Sequence, residues 1–100
     1  MIMSTNEPPT FQVRFRSRRV QREVDSLQET DYRRVVTRLK ALATDPRPQG
    51  CEKLYDDIYR VRVGDMRIIY LIDEGNKRIE VGGIRRRSER TYRGIESLFR

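Results

Sequence analysis

A predicted hairpin constrains the fold of this chain more than any other sequence feature. Between Ile58 and Leu71 the sequence reads IYRVRVGDMRIIYL, two alternating runs that are separated by Gly64-Asp65. Glycine at the first position of a two-residue turn suits a hairpin that needs a positive φ there. Such a turn fixes the register of the two strands. The predicted pairs are Val63 with Met66, Arg62 with Arg67, Val61 with Ile68, and Arg60 with Ile69.

This register gives the hairpin two chemically different faces. One face is apolar and predicts a packed core; it carries Tyr59, Val61, Val63, Met66, Ile68 and Tyr70. The other face carries Arg60 and Arg62 on one strand, with Arg67 directly opposite Arg62. Because like charges placed opposite each other destabilise a sheet, three guanidiniums on one face indicate a binding site for an anion. The forked guanidinium favours phosphate as that anion.

The composition of the chain supports an acidic partner. A length of 100 residues predicts one domain with a single core. The net charge is +7, and lysine occurs only at Lys40, Lys53 and Lys77, so nearly all of the 22 basic residues are arginines. Arginine binds phosphate through a planar fork and stacks on bases, which lysine cannot do. A basic, arginine-rich chain is typical of proteins that bind nucleic acid.

Several residue types are missing, and this excludes some kinds of site. The sequence has no histidine, so the usual general base and the usual metal ligand are absent. Its one cysteine, Cys51, allows neither an intrachain disulfide nor a thiolate cluster and is expected to be a small buried residue. No apolar run approaches the roughly 18 residues of a membrane span, and residues 1–10 lack the pattern of a signal peptide. We expect a cytoplasmic protein with no metal, no cofactor and no membrane partner.

The first half of the chain predicts one strand and two helices. Residues 1–10 lack periodicity and are expected to be a disordered tail that precedes a domain over 11–100. FQVRF, over 11–15, alternates like a strand. Apolar residues at helical spacing then predict a short helix that ends between Ser26 and Glu29. A second helix is predicted to have Thr30 or Asp31 as its capping residue and to end at Asp45, which precedes a proline. Its predicted apolar stripe consists of Tyr32, Val35, Val36, Leu39, Leu42 and Ala43.

The second half predicts the rest of a sheet and a last helix. Residues 46–57 read as an irregular connection to the hairpin. A third alternating strand is expected from Arg78 to about Ile84, where Gly82-Gly83 indicates a bulge or the close approach of another group. Residues 88–100 have helical spacing. The order strand, two helices, three antiparallel strands, helix predicts a single compact α+β domain, with helices packed on one face of the sheet and the other face open.

A second basic segment follows the third strand. Residues 84–93 read IRRRSERTYR, which places Arg85, Arg86 and Arg87 where that strand ends and Tyr92 in the first turns of the last helix. Taken alone, this segment is a solvated basic run followed by a core tyrosine. Combined with the arginine face of the neighbouring hairpin, it predicts the second half of one phosphate-binding site.

The two segments together resemble the RelE/ParE superfamily of toxins from toxin–antitoxin pairs. The resemblance lies in KLYDDIYRVRVGDMRIIYLI and RRRSERTYR and covers about residues 11–100. An arginine followed six residues later by a tyrosine, here Arg86 and Tyr92, resembles the RelE branch, whose members cleave mRNA on the ribosome. Toxins of the ParE branch poison DNA gyrase and usually lack that pair.

The resemblance implies a set of site residues. The implied catalytic set is Arg60, Arg62, Arg67, Arg86 and Tyr92. The implied RNA-binding set is Arg85, Arg87, Arg33, Arg34 and Arg38. In the best-known RelE pattern the first two positions are lysines, and arginine cannot give up its proton, so a lysine-type general base is absent here.

A chain of this kind is expected to act without a metal. The 2′-OH of the RNA would attack the adjacent phosphorus, guanidiniums would stabilise the charge that develops, and Tyr92 would either orient or deprotonate the 2′-OH or stack on a base. The implied partners are the ribosome, mRNA and an acidic antitoxin that forms a hetero-oligomer with the toxin. Two alternatives remain open: a ParE-type DNA gyrase inhibitor, and a catalytically decayed module that binds an antitoxin or a nucleic acid.

Overall fold

The computed structural model of the protein describes residues 11–86 and 98–99. Its elements are β1 (Gln12–Phe15), α1 (Arg18–Asp25), α2 (Glu29–Leu42), β2 (Glu52–Tyr55), β3 (Ile58–Val63), β4 (Met66–Asp73) and β5 (Arg78–Arg86). The strands form one sheet in the order β1-β5-β4-β3-β2, in which β1 runs parallel to β5 and the other neighbours are antiparallel. The predicted α+β architecture is confirmed. The predicted tail over 1–10 and most of the predicted helix over 88–100 lie outside the described residues.

The register of the β3–β4 hairpin is the predicted one. Arg62 lies opposite Arg67 and Val63 opposite Met66, and the pairing continues without a shift to the far end of β3. Gly64 has a φ of 61°, the left-handed region that glycine enters without the steric cost that a Cβ brings. The turn chemistry therefore sets which side chains share a face.

One face of the sheet, here called the helix face, packs against both helices. The six hairpin residues predicted for the core are all buried there. Val20 and Val24 of α1 and Val35 and Leu39 of α2 are buried in the same apolar cluster. Burial of this surface is the main force that holds the helices on the sheet.

The two helices begin in different ways. Ser17 precedes α1, and its hydroxyl oxygen accepts a hydrogen bond from the Val20 N–H at 3.4 Å. The predicted cap of α2 at Thr30 or Asp31 is wrong, because the helix already begins at Glu29. Glu29 and Asp31 instead place carboxylates in its first turn, where the positive end of the helix dipole stabilises them.

The connection between α2 and the hairpin contains a strand that the sequence pattern did not predict. α2 ends at Leu42, ahead of the predicted end at Asp45. Within residues 46–57, β2 pairs with β3 and forms one edge of the sheet. Only four residues long and mostly exposed, β2 lacks the alternation of apolar side chains that identifies a strand in sequence.

The second face of the sheet, here called the arginine face, is not fully open as predicted. Ile58 and Ile69 are buried on it. Leu98 and Phe99, near the end of the chain, pack against this pair together with neighbouring leucines. A small second apolar cluster therefore covers part of the face, beside the positions of the hairpin arginines.

The glycine pair in β5 produces both features that were expected of it. The pairing of β5 with β4 skips Gly82, which is a bulge. A Cβ at Gly82 would lie 2.9 Å from ring carbon Cε1 of Phe99, so the missing side chain also permits this close contact. Beyond Gly83 the strand continues to Arg86, past the predicted end at Ile84, because its pairing with β4 persists.

Arg47 fastens the loop before β2 to the sheet. Its Nε donates a hydrogen bond to the Tyr59 hydroxyl at 3.0 Å, and its Nη1 pairs with Glu74 at 2.7 Å. The guanidinium carbon lies 5.3 Å from the centre of the Tyr59 ring. Tyr70 stacks beside Tyr59 and donates its hydroxyl hydrogen to the Pro46 carbonyl at 2.7 Å. The contacts of Arg47 and of the Pro46 carbonyl hold the loop on the sheet.

Candidate functional site

Three arginines from three adjacent strands form a row across the arginine face, close to the tip of the hairpin. Arg62 of β3 lies opposite Arg67 of β4, and Arg67 lies opposite Arg85 of β5. Residues directly opposite each other on neighbouring strands place their side chains on the same face. We call Arg62, Arg67 and Arg85 the arginine row.

The arginine row carries positive charge without a matching negative charge. Within residues 11–86 and 98–99, none of its three guanidiniums pairs with a carboxylate. The Nε of Arg67 is buried and has no hydrogen-bond partner there. A buried donor without a partner costs free energy, and three facing cations add repulsion. An anion that accepts hydrogen bonds from all three side chains would relieve both costs.

Gly83 makes room for the third member of the row. The Arg85 side chain folds back over this glycine, and its Nη1 donates a hydrogen bond to the Ile84 carbonyl at 3.0 Å. A Cβ on Gly83 would lie 2.8 Å from the same Nη1 atom, closer than side chains tolerate. The close approach predicted for the glycine pair therefore includes a functional side chain.

Arg60 shares the arginine face but lies two pairs further from the turn than Arg62 does. It pairs with Glu52, which lies directly across from it on β2. The Arg60 side chain is only 18% exposed, so this ion pair is partly shielded from solvent. The structure thus brings Arg60 beside the row but neutralises its charge.

Arg86 lies on the other side of the sheet. Its register partner is Met66, a residue of the helix face, whereas Arg85 pairs with Arg67. The Arg86 guanidinium bonds to Asp65 of the turn at 3.1 Å and to Asp31 of α2 at 3.2 Å. Of the predicted residues in β5, the structure therefore groups Arg85, and not Arg86, with the hairpin arginines. Arg87 and Tyr92 lie outside the described residues.

The arginines predicted on α2 line a separate groove at the same end of the molecule. The groove holds about 440 Å³ and lies between α2 and the hairpin turn. The side chain of Arg34 reaches the turn, since its Nη1 lies 3.0 Å from the position of a Cβ on Gly64. Arg33 pairs with Glu29 one helical turn away. The lining of the groove includes Arg33, Arg34, Thr37, Arg38, Val63 and Gly64.

Metal-binding groups and membrane-spanning helices are absent from the part of the chain that the structure describes. No group of three or more histidine, cysteine or acidic side chains is placed there to hold a metal ion. Cys51, expected to be buried, is half-buried and has a free thiol. None of the described helices is long and apolar enough to cross a membrane.

Solved structures with the same fold are toxins of toxin–antitoxin pairs. RelE from the Pyrococcus horikoshii RelE–RelB complex is 26% identical, with a TM-score of 0.69 over 81% of this chain and 99% of that one. The toxin–antitoxin complex RelBE2 of Mycobacterium tuberculosis has a chain that is 21% identical, with a TM-score of 0.67 over 78% of this chain and 99% of that one. Isolated Escherichia coli RelE is 18% identical, with a TM-score of 0.69 over 88% of this chain and 95% of that one. Among curated proteins, no sequence matches this chain.

The fold is therefore that of a RelE-type toxin. A family model described as the ParE toxin of the type II toxin–antitoxin system, parDE, matches residues 14–91. The chain belongs to this family, and the predicted membership of the RelE/ParE toxin superfamily is confirmed.

Proposed function

We propose that this toxin is a ribosome-dependent endoribonuclease that cleaves translated mRNA and so inhibits translation. The observation that carries the proposal is the arginine row, three guanidiniums that share one face and pair with no carboxylate among the described residues. An RNA phosphodiester fits such a row, since each of its non-bridging oxygens can accept two or more hydrogen bonds from guanidinium groups.

The chemistry that suits this set of residues is an attack by the RNA on itself. The 2′ oxygen forms a bond to the adjacent phosphorus, the bond from phosphorus to the 5′ oxygen breaks, and the products carry a 2′,3′-cyclic phosphate and a 5′-hydroxyl. No metal is required, because Arg62 and Arg67 stabilise the negative charge that builds on the phosphoryl oxygens. Arg60, held by Glu52, contacts the same phosphate or a flanking one.

We assign stabilisation of the leaving 5′ oxygen to Arg85. The family resemblance places Arg86 in the catalytic set, but Arg86 lies on the helix face between two carboxylates. Arg85 completes the row, so its guanidinium can reach the same phosphate as Arg67. Tyr92 keeps its predicted role of orienting or deprotonating the 2′-OH or of stacking on a base.

The ribosome supplies what the toxin lacks. Arginine cannot act as a base at neutral pH, so an unaided toxin with this row is a weak nuclease. Binding of mRNA in a bent geometry, with the 2′ oxygen in line with phosphorus, offsets that weakness, since orientation can contribute about 7–11 kcal/mol. The groove of Arg33, Arg34 and Arg38 binds ribosomal RNA, and Arg87 extends the RNA contact beyond β5.

Inhibition of the toxin is assigned to a cognate antitoxin in a hetero-oligomer in the cytoplasm. The P. horikoshii relative is described as a RelE–RelB complex, and the M. tuberculosis relative as a toxin–antitoxin complex. A toxin with a net charge of +7 and an unpaired arginine row is matched by an acidic partner. Carboxylates of the antitoxin that bind the row would exclude RNA from it.

A second candidate function is inhibition of DNA gyrase. It is favoured by the family match, since the family is named for the ParE toxin. In this alternative the arginine row contacts gyrase or its bound DNA, and no RNA is cut. The two candidates differ in the nucleic acid that is broken.

The deciding experiment incubates the purified toxin with ribosomes programmed with a short mRNA, and maps RNA ends by primer extension. We expect cuts within the coding region, little cleavage of free RNA, and loss of cutting in Arg67→Ala. The matched control is Arg14→Ala, which removes an exposed arginine of β1 that is opposite Glu80, five residues before Arg85 on β5. Intact mRNA, together with gyrase-dependent breaks in plasmid DNA, would contradict the proposal and support the alternative.

A further inference from the structure

The last part of β5 lacks a neighbouring strand on one side. β1 pairs only with Arg78–Val81, so the outer edge of β5 from Gly82 onward has no strand partner among the described residues. α1 lies along this edge, and the carboxylate of Glu23 accepts a hydrogen bond from the Ile84 N–H at 3.2 Å. A side chain of α1 thus accepts the hydrogen bond that a neighbouring strand would otherwise accept from Ile84, the residue before Arg85.

The residue immediately after Arg85 is also held by carboxylates. The guanidinium of Arg86 bonds to Asp31 in the first turn of α2 and to Asp65 in the hairpin turn. Asp31 and Asp65 belong to two different elements, so the end of β5 is tied to both of them. Arg85 therefore lies between two anchored residues, one held through its backbone and the other through its side chain.

We propose that Glu23, Asp31 and Asp65 form a carboxylate clasp that fixes the end of β5 and thereby positions Arg85 in the arginine row. This inference rests on the proposed function only for its effect on catalysis. The three acids are positioning residues, since they act through Ile84 and Arg86 and do not contact RNA.

The exposure of the clasp argues for positioning over stability. The Arg86 side chain is 42% exposed, and its partners Asp31 and Asp65 are 21% and 66% exposed. Ion pairs this exposed contribute little to folding. A geometric role has a larger consequence, because a displacement of about 1 Å at a catalytic group can lower a rate about 10²-fold.

The location of the clasp is compatible with a site for an anion. Arg86 pairs with a residue of the helix face, so Asp31 bonds to it on the side of the sheet away from the row. Carboxylates on the arginine face itself would repel RNA. Placed behind the sheet, Asp31 holds the strand without competing for the guanidiniums of the row.

The first test measures the clasp in the free toxin and needs no activity. Glu23→Ala removes the acceptor of the Ile84 N–H, whereas Glu23→Gln keeps an amide oxygen in its place. We expect exchange of the Ile84 amide hydrogen to quicken about tenfold or more in Glu23→Ala and to remain near the wild-type rate in Glu23→Gln. Asp31→Ala/Asp65→Ala should reduce the order of the Arg85 side chain, as measured by the heteronuclear NOE of its Nε–H. Unchanged exchange and an unchanged NOE would overturn the inference.

The second test measures cleavage of mRNA on ribosomes. We expect Glu23→Ala and Asp31→Ala/Asp65→Ala each to lower kcat about tenfold with KM within about twofold, and Glu23→Gln to recover most of the loss. In an Arg85→Ala background the same substitutions should have little further effect, because the guanidinium that they position is already absent. Equal effects with and without Arg85 would overturn the inference. If the wild-type toxin cleaves nothing, the proposed function fails, and the exchange and NOE measurements alone decide whether the clasp exists.

Discussion

Arg47 and the arginine row show two opposite uses of the same residue type on one sheet. Arg47 bonds to Tyr59 and Glu74 and lies over the Tyr59 ring. The hydrogen bond to Tyr59, and then the one to Glu74, raise the pKa of Arg47 above its ordinary value. In the row, by contrast, Arg67 has a buried Nε with no partner among the described residues. The contrast separates arginines that stabilise the fold from arginines available to a ligand.

This difference explains why charge composition alone does not locate the site. Most of the basic residues are arginines, and they occur throughout the chain. What distinguishes the row is that the surrounding carboxylates bond elsewhere: Glu52 to Arg60, and Asp65 to Arg86. The fold thus leaves positive charge uncompensated at one place on the sheet, at a cost in stability that a bound phosphate would offset.

The largest expected effect comes from removing one member of the row. Arg67→Ala and Arg85→Ala should each lower mRNA cleavage on ribosomes by about 10²-fold or more, the scale of removing one charged group that stabilises a transition state. Both variants should remain folded in urea titrations, because each substitution relieves repulsion within the row. Arg47→Ala is the matched control and should keep the rate of cleavage per folded molecule. Full activity of either row variant would remove that residue from the site.

For the arginine row, the sequence correctly predicted the structure of β3 and β4. The two-residue turn at Gly64 determines which residues of β3 and β4 share a face, so the pairing of Arg62 with Arg67 could be read from the sequence. Whether Arg85 or Arg86 joins these two residues could not be predicted from the sequence. A strand bulge shifts the alternation by one residue, and the pair Gly82-Gly83 does not reveal from sequence whether a residue is skipped at all; without the bulge, Arg86 would lie on the arginine face.

Two other features could not be predicted, for a different reason. The strand β2 is short and exposed, so it has no periodic apolar signal, and its pairing depends on β3 being present beside it. The neutralisation of Arg60 by Glu52 follows from that pairing. The cap of α2 was misplaced because Thr30 and Asp31 are both good capping residues, and neither type alone fixes where a helix begins.

The next effect in size concerns the groove beside α2. Arg34→Glu/Arg38→Glu should weaken binding to ribosomes about tenfold or more at low salt, and the slope of log affinity against log salt should decrease by about 0.7–0.9 for each phosphate that the variant no longer binds. Arg33→Glu is the comparison within the groove, since Arg33 already pairs with Glu29. Its effect should be smaller. Equal binding of the wild type and both variants to ribosomes in a sedimentation assay would show that the groove does not contact ribosomal RNA.

A smaller effect is expected at the other end of the sheet. Arg47→Ala should lower the free energy of unfolding by about 1–2 kcal/mol, because the Tyr59 hydroxyl loses its donor and the Tyr59 ring loses its cation. Urea titration at neutral pH measures the change. Arg14→Ala, which removes an exposed arginine, should leave the stability within about 0.5 kcal/mol of the wild type. If Arg14→Ala lowers the free energy of unfolding as much as Arg47→Ala does, the distinction between structural and unpartnered arginines is wrong.

The smallest effect is a dependence of stability on alkaline pH that arises beside Arg47. Burial is the main cause that raises the pKa of the Tyr70 phenol in the folded protein. In the unfolded chain the phenol ionises near pH 10, so the contribution of the neutral, buried phenol is complete below about pH 10 and is lost as the pH rises further.

Tyr70→Phe should cost about 1 kcal/mol at pH 7, since the bond to the Pro46 carbonyl is gone. The difference in the free energy of unfolding between the wild type and Tyr70→Phe should then narrow between about pH 10 and pH 11. Tyr55→Phe, at an exposed position, controls for ionisation at the surface. A gap that stays constant across this range would show that Tyr70 ionises as readily in the folded chain as in the unfolded one.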